Sequence, residues 1–259
     1  MATDPRFETA RGDGHARRAR EDLAVAEDHA GWTARSRVVL TPIAAPSIMG
    51  LFGFAMATVM LGAYQAGWYG SAVTPLVIWP LALFAGGVMQ GVAAIASLRA
   101  RDGVAVAVHT AWASFWVGWG ILQLLVATHV MAAIPLGAAS PSFAMWFVVL
   151  TLVTFWGALG ALAQNMLVFL TLGVLAGASA VTAAGFWAGS LGTVQAGGWL
   201  FVVSAAAAWL AAGAMVLEHS FGRAVIPVGK WSKQANIPGS KVTDPIAYPA
   251  GMPGVKVGQ

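Results

Sequence analysis

Few residues of this chain could do chemistry, and between Val38 and Leu217 almost none of them carries a charge. Arg99, Arg101 and Asp102 are the exceptions, and they stand together. The other polar groups in that stretch are neutral: Gln90, His109, Ser114, Gln123, His129, Thr151, Thr154, Thr171, Ser179 and Thr182. The chain has no cysteine, hence no disulfide, thiolate metal site or catalytic thiol. No phosphate-cradling loop, nucleophile elbow or triad spacing occurs, so no enzyme is expected. His109 and His129 lie twenty residues apart, about 30 Å on one helix at 1.5 Å per residue. They cannot share a metal ion, and no other His/Glu cluster exists, so neither metal nor cofactor is expected. A histidine at such a depth reads as hydrogen-bonded structure before it reads as a proton relay.

The missing charges exclude whole mechanisms. A carboxylate-driven proton pump, a sodium symporter with Asp ligands and a charged ion filter all need ionised groups at mid-membrane. Composition agrees with a membrane setting. Of 259 residues, 58% are hydrophobic and 9% charged, against about 25% charged in an average soluble domain. A soluble fold of this size could not hide so much apolar surface behind so small a charged shell.

Those polar residues must be carried by spanning helices of about 20 mainly apolar residues each. Uncharged stretches between turn signals supply six, near Ala44–Tyr64, Pro75–Leu98, Val104–Val130, Ser142–Leu162, Met166–Gly189 and Gly197–Leu217. The separators, Gln65–Thr74, Arg99–Gly103, Met131–Pro141, Ala163–Asn165 and Ser190–Ala196, are rich in Gly, Pro, Ser or polar residues. Thr74-Pro75 suits a helix start. The expected fold is therefore an all-α integral membrane bundle of six transmembrane helices.

Charge placement sets the expected orientation. Residues 1–37 hold seven arginines and seven acids, so this arm is neutral overall yet rich in arginine. The second connection carries Arg99 and Arg101, and the tail carries Arg223, Lys230 and Lys233, while the first, third and fifth connections have no Lys or Arg. An even span count places all the basic segments on one side, which puts both termini in the cytoplasm. The net charge of +4 then reads as an orientation signal. No basic stripe with interleaved aromatics exists for a nucleic acid to follow. Residues 1–40 read as a flexible cytoplasmic extension without a secretory signal, with a short amphipathic helix at Glu21–Ala30 as the alternative to disorder. Residues 41–229 read as the transmembrane domain and 230–259 as a flexible cytoplasmic tail.

Gly86-Gly87, Gly157 with Gly160, Gly173 with Gly177, and Ala205–Ala208 allow close helix approach, either within the bundle or between subunits. Trp68, Trp79, Trp146, Trp187 and Trp199 fall near span ends, where an indole suits the membrane interface. Trp112, Trp116 and Trp119 recur about once per turn inside the third span and need another reason. Taken from the residues alone, the chain reads as a six-helix pore or carrier in the plasma (cytoplasmic) membrane. Its lining is apolar, and a small weak acid or a neutral amide suits that lining better than a bare metal ion.

At two places the sequence resembles the acetate uptake transporter family, which includes bacterial succinate–acetate permeases. Residues 45–56, Ala-Pro-Ser-Ile-Met-Gly-Leu-Phe-Gly-Phe-Ala-Met, are similar to the family's Asn-Pro-Ala-Pro-Leu-Gly-Leu pattern with its following Gly-Phe step. Pro46, Gly50, Leu51, Gly53 and Phe54 match, while the leading Asn is Ala45 and the second Pro is Ile48. Residues 221–229, Phe-Gly-Arg-Ala-Val-Ile-Pro-Val-Gly, resemble the family's Phe-Gly-Arg-x-Val-Leu-Pro-Ile-Gly tail. Between them Gly86-Gly87-x-x-Gln90 and Ser114-Phe115-Trp116 match in order and spacing. The resemblance implies a six-helix subunit of a homo-oligomer, a hexamer, with a substrate path through each protomer. It implies passage of small monocarboxylates, acetate first with propionate or succinate as further candidates, by proton-linked symport or channel-like flow. It also implies a constriction at Phe54, Trp112 and Leu172, and a pathway that includes Pro46, Gly50, Leu51, Gln90, Ser114 and Thr171. Trp112 stands where the family has Tyr, which points to a narrower gate. The family's Glu near the end of the last span is Met215 here, with Glu218 one turn on. The alternative from a different class is a pore for a neutral solute such as urea or a short amide.

Overall fold

The computed structural model describes Arg17, residues 20–24, 43–100 and 102–230. The chain divides into two units, residues 43–240 and residues 1–42 with 241–259. In the second unit residues 20–24 are helical, and the exposed Arg17 Nε lies 2.9 Å from Glu21 Oε1. Most of the expected N-terminal extension, including residues 25–30, and the tail beyond Lys230 lie outside the described residues.

Residues 43–230 are built on six helices long and apolar enough to cross a membrane. They are α1 Pro46–Gln65, α2 Thr74–Ala100, α3 Gly103–Ala127, α4 Pro141–Ala161, α5 Met166–Ala188 and α6 Leu191–Phe221. The local chemistry of each start is plain. Proline opens α1, α2 and α4, where its missing N–H costs nothing. Side-chain caps open the others: Asp102 accepts from Ala105 N, Asn165 from Val168 N and Ser190 from Thr193 N. Gly189 (φ 66°) and Gly222 (φ 64°) close α5 and α6 in the left-handed conformation that glycine adopts without strain.

Two boundaries differ from expectation. The segment Ser190–Ala196, read as a connection, is mostly helix, because the Ser190 cap starts α6 directly after the Gly189 turn. Its glycines serve packing: a side chain on Gly197 would meet Thr182 of α5, and one on Gly198 would meet the backbone at the end of α1. The third span ends sooner than expected, at Ala127, with His129 at φ 59°. A third feature has no counterpart in the sequence reading. Pro80 sits inside α2, and residues Ala82–Met89 just after it are wound as a π-helix. Proline removes a backbone donor and crowds the preceding turn, which loosens the helix locally.

Each helix packs on its neighbours in sequence, and α6 closes the ring against α1. One end of the ring carries Arg99, Asp102, Glu218 and Lys230; among the described residues the opposite end has no Asp, Glu, Lys or Arg. The first is called the charged end below. There the residues after α6 fold back as a strap. The carbonyls of Gly229 and Val228 accept from Met166 N (2.8 Å) and Leu167 N (3.1 Å), satisfying free amides in the first turn of α5. Lys230 Nζ reaches Glu218 Oε1 at 3.1 Å. The Phe-Gly-Arg tail is thus a helix stop followed by a cap for another helix.

A candidate pathway through the helix ring

Helices α1 and α3 rise in the same direction, so residues one turn apart on each form layers across the ring. At the centre Phe54 of α1 meets Trp112 of α3 edge to face, with ring centroids 5.7 Å apart. Phe115 and Phe201 stand around the same indole at 5.5 and 6.2 Å. Edge-to-face pairs of this kind hold better than their area alone suggests. The indole N–H of Trp112 donates to Thr154 Oγ1 of α4 at 3.0 Å, so this large ring is pinned from both sides.

One turn toward the uncharged end, Thr58 and Trp116 are buried, and neither Thr58 Oγ1 nor Trp116 Nε1 has a hydrogen-bond partner. Both residues line a cavity of about 10 Å³, whose wall Trp112 and Phe201 also form. That volume is at the lower limit for one water molecule, roughly 10–15 Å³. Further out a cavity of about 40 Å³ is lined by Gln65, Gln123 and Trp119 among others, and Gln65 Oε1 is likewise unpartnered. Unpaired buried polar atoms are costly in dry protein, so a row of them marks where water or a polar solute belongs.

One turn toward the charged end the layer is polar. Gln90 is fully buried, donates through Nε2 to Gly86 O at 3.0 Å, and presents Oε1 to His109 Nδ1 at 3.2 Å. The His109 ring lies against Gly50, whose bare Cα makes room for it. Gly86 does the same for the Trp116 indole. These two close approaches explain glycine at positions 50 and 86 better than lipid packing does.

The sequence-derived residues fall into three groups. Phe54, Trp112, Gly50 and Gln90 come together around one axis, and Pro46 and Leu51 are buried on α1 beside them. Leu172 and Thr171 belong to the same interior but are placed differently. Leu172 Cδ1 lies on the α4 side, in the Val108–Gly157 contact, while Thr171 bonds its own helix through Oγ1 and accepts from Ser204 Oγ through its carbonyl. Ser114 stands apart: it is exposed on the outer face of α3, donating to Thr110 O. The reading of composition and motifs named Thr154 only as one polar residue of the spans, and it missed Phe201, Thr58, the Trp112–Thr154 bond and the His109–Gln90 pair. Helical spacing held a signal for two contributors, since Thr58 and Trp116 each stand four residues after a constriction residue. Among the described residues no group of His, Asp or Glu could hold a metal ion.

Comparison with known proteins agrees with the six-helix fold. The succinate-acetate/proton symporter SatP of Escherichia coli K12 is 29% identical over 190 residues, covering 73% of this chain and 97% of that protein. The SatP of Shigella flexneri matches to the same extent. A solved structure of the bacterial acetate channel SatP superposes with a TM-score of 0.65 at 24% identity, covering 73% of this chain and all of that one, and so shares the fold. Six spanning helices and these relatives make this a multi-pass inner-membrane protein. Residues 33–231, most of the chain and all six helices, match the GPR1/FUN34/yaaH family, and the protein belongs to that family.

Proposed function

We propose that this protein transports small monocarboxylates, acetate before others, along the axis of its own helix ring. The observation that carries the reading is the layered path: an aromatic contact at Phe54–Trp112 with unpaired Thr58 and Trp116 polar atoms on one side and His109–Gln90 on the other. Kinship with SatP proteins, whose name states succinate–acetate/proton symport, supports the cargo class. Burying a carboxylate at the dry centre costs several kcal/mol, so the constriction favours the neutral acid. Acetic acid, with a carboxyl pKa like that of Glu, about 4.3, is about tenfold more abundant at pH 6 than at pH 7. Uptake therefore rises as external pH falls, with propionate slower and succinate poor because Trp112 fills the gate.

The charged end is cytoplasmic in this reading, with both chain termini there, and residues 41–229 carry the transport. Subunits assemble as a homo-oligomer. On α5, Gly173 and Gly177 have open space where side chains would stand, and beside them a 330 Å³ groove runs between α4 and α5, lined by Thr151, Ala180, Ala184 and Trp187 among others. Small outward residues of this kind suit a helix of another subunit. The lining carries no fixed charge, which also suits urea or a short amide. Flux of labelled acetate against urea in proteoliposomes decides between them: acetate should move and urea should not, and the reverse refutes the reading.

A further inference from the structure

We propose that His109 is a carboxyl-binding station, one turn from the constriction on its charged-end side, where the ring exchanges a proton with the cargo. This deepens the monocarboxylate reading and rests on it. The hydrogen bonds fix which nitrogen is free. Gln90 Nε2 is committed to Gly86 O, so the atom facing His109 is the amide oxygen, which only accepts. Nδ1 must therefore carry the hydrogen, and the lone pair of the neutral imidazole sits on Nε2. Among the described residues Nε2 has no hydrogen-bond partner, and its edge of the ring lies against the bare Cα of Gly50. His109 stands one turn before Trp112 on α3, and Gly50 one turn before Phe54 on α1, so this nitrogen lies directly beneath the closing pair.

Few charged groups on the surrounding helices compete for the imidazole. Within α1, α4 and α5 there is no Asp, Glu, Lys, Arg or other His. On α2 the one such group is Arg99, near the helix end. On α6 they are Glu218, which pairs with Lys230, and His219 in the last turn. On α3 itself Asp102 lies about 10 Å below at 1.5 Å per residue, already accepting from Ala105 N and Gln164 Nε2. Asp102, two turns away and already hydrogen-bonded, acts on the imidazole only at a distance, so the imidazolium is held best when cargo supplies a counter-charge beside it. The step balances simply. The carboxylic acid O–H bond breaks, its electron pair stays on the carboxylate, and the proton forms an N–H bond at Nε2; departure in either direction reverses it.

The test uses the full chain in proteoliposomes and two cargoes, acetate and fluoroacetate. Fluoroacetate is close to acetate in size and stays ionised between about pH 8 and 5, the range in which an imidazole changes charge. Its small neutral fraction still rises about tenfold per pH unit, as that of acetate does, so the share that belongs to the protein is the difference between wild type and a variant without the imidazole. Wild-type fluoroacetate flux should exceed that of His109→Gln, which keeps a donor for Gln90, by a factor that grows several-fold on acidification. An equal rise in the variant, at matched protein content, overturns the station, and so does a flat wild-type profile while acetate still moves. If neither cargo moves, the transport reading itself falls. A second readout needs no variant: fluoroacetate added to the detergent-solubilised protein in weak buffer should draw protons from the medium, and no uptake overturns the proposal.

Discussion

Replacing Trp112 by Phe should loosen the constriction and orphan Thr154 at the same time, and the two effects can be separated. The exchange removes the indole N–H that donates to Thr154 Oγ1 at 3.0 Å. It leaves that hydroxyl fully buried, at a cost of about 1–3 kcal/mol. The smaller ring also forfeits roughly 1–2 kcal/mol of packing against Phe54, Phe115 and Phe201. The single change should therefore cost roughly 2–5 kcal/mol. Thr154→Val should cost about 1–3 kcal/mol by stranding the indole donor. The double variant has no stranded group and keeps only the packing loss, so the two costs should fall short of additivity by about 2–6 kcal/mol, the two stranding costs together. Denaturant unfolding of the four proteins in one detergent measures this coupling. In proteoliposomes Trp112→Phe should also raise the propionate-to-acetate flux ratio. A cycle additive within about 0.5 kcal/mol would refute the pinned indole, and an unchanged ratio would refute its role as a size filter.

The remaining predictions concern topology, assembly and the third constriction residue. Gly70→Cys and Gly137→Cys should react with an impermeant thiol reagent added outside intact cells, whereas Ala100→Cys should not; the opposite pattern inverts the orientation. Native mass spectrometry in mild detergent should show an oligomer, and a lone 26.7 kDa species would count against it. Leu172→Ala should speed acetate flux or admit larger cargo if this side chain narrows the path. If it is ordinary packing against Val108 and Gly157, it should cost about 2–5 kcal/mol and lower flux through lost protein. A stable variant with unchanged rate and selectivity removes Leu172 from the gate.

The six helices were legible because a spanning segment needs a long apolar run, and breaks such as Thr74-Pro75 and Arg99–Gly103 carry turn chemistry. The start of α6 was not, because Gly192, Thr193, Gln195, Gly197 and Gly198 have loop composition. Only the fold shows that Gly197 and Gly198 admit α5 and the end of α1. Pro80 was visible, but not the π-helical winding after it, a segment that packs against both α1 and α3. At the site, Phe54 and Trp112 could be placed by motif, and the structure joins them. The pairing of His109 with Gln90 could not, since it links residues nineteen apart on antiparallel helices. Ser114 followed the motif faithfully yet faces outward, because a match in order and spacing says nothing of which helix face is turned inward.

The central claim is that the Phe54–Trp112 contact closes the path and must open for each solute to pass. An edge-to-face pair of this kind holds by about 0.5–1.5 kcal/mol beyond its area, so removing it should speed opening roughly two- to tenfold. The direct measurement is acetate flux through Phe54→Ala in proteoliposomes, normalised to inserted protein and compared with wild type at one pH. A rise of that size, with propionate now passing readily, is the predicted result. A stably inserted variant whose acetate rate and selectivity equal those of the wild type would contradict the claim.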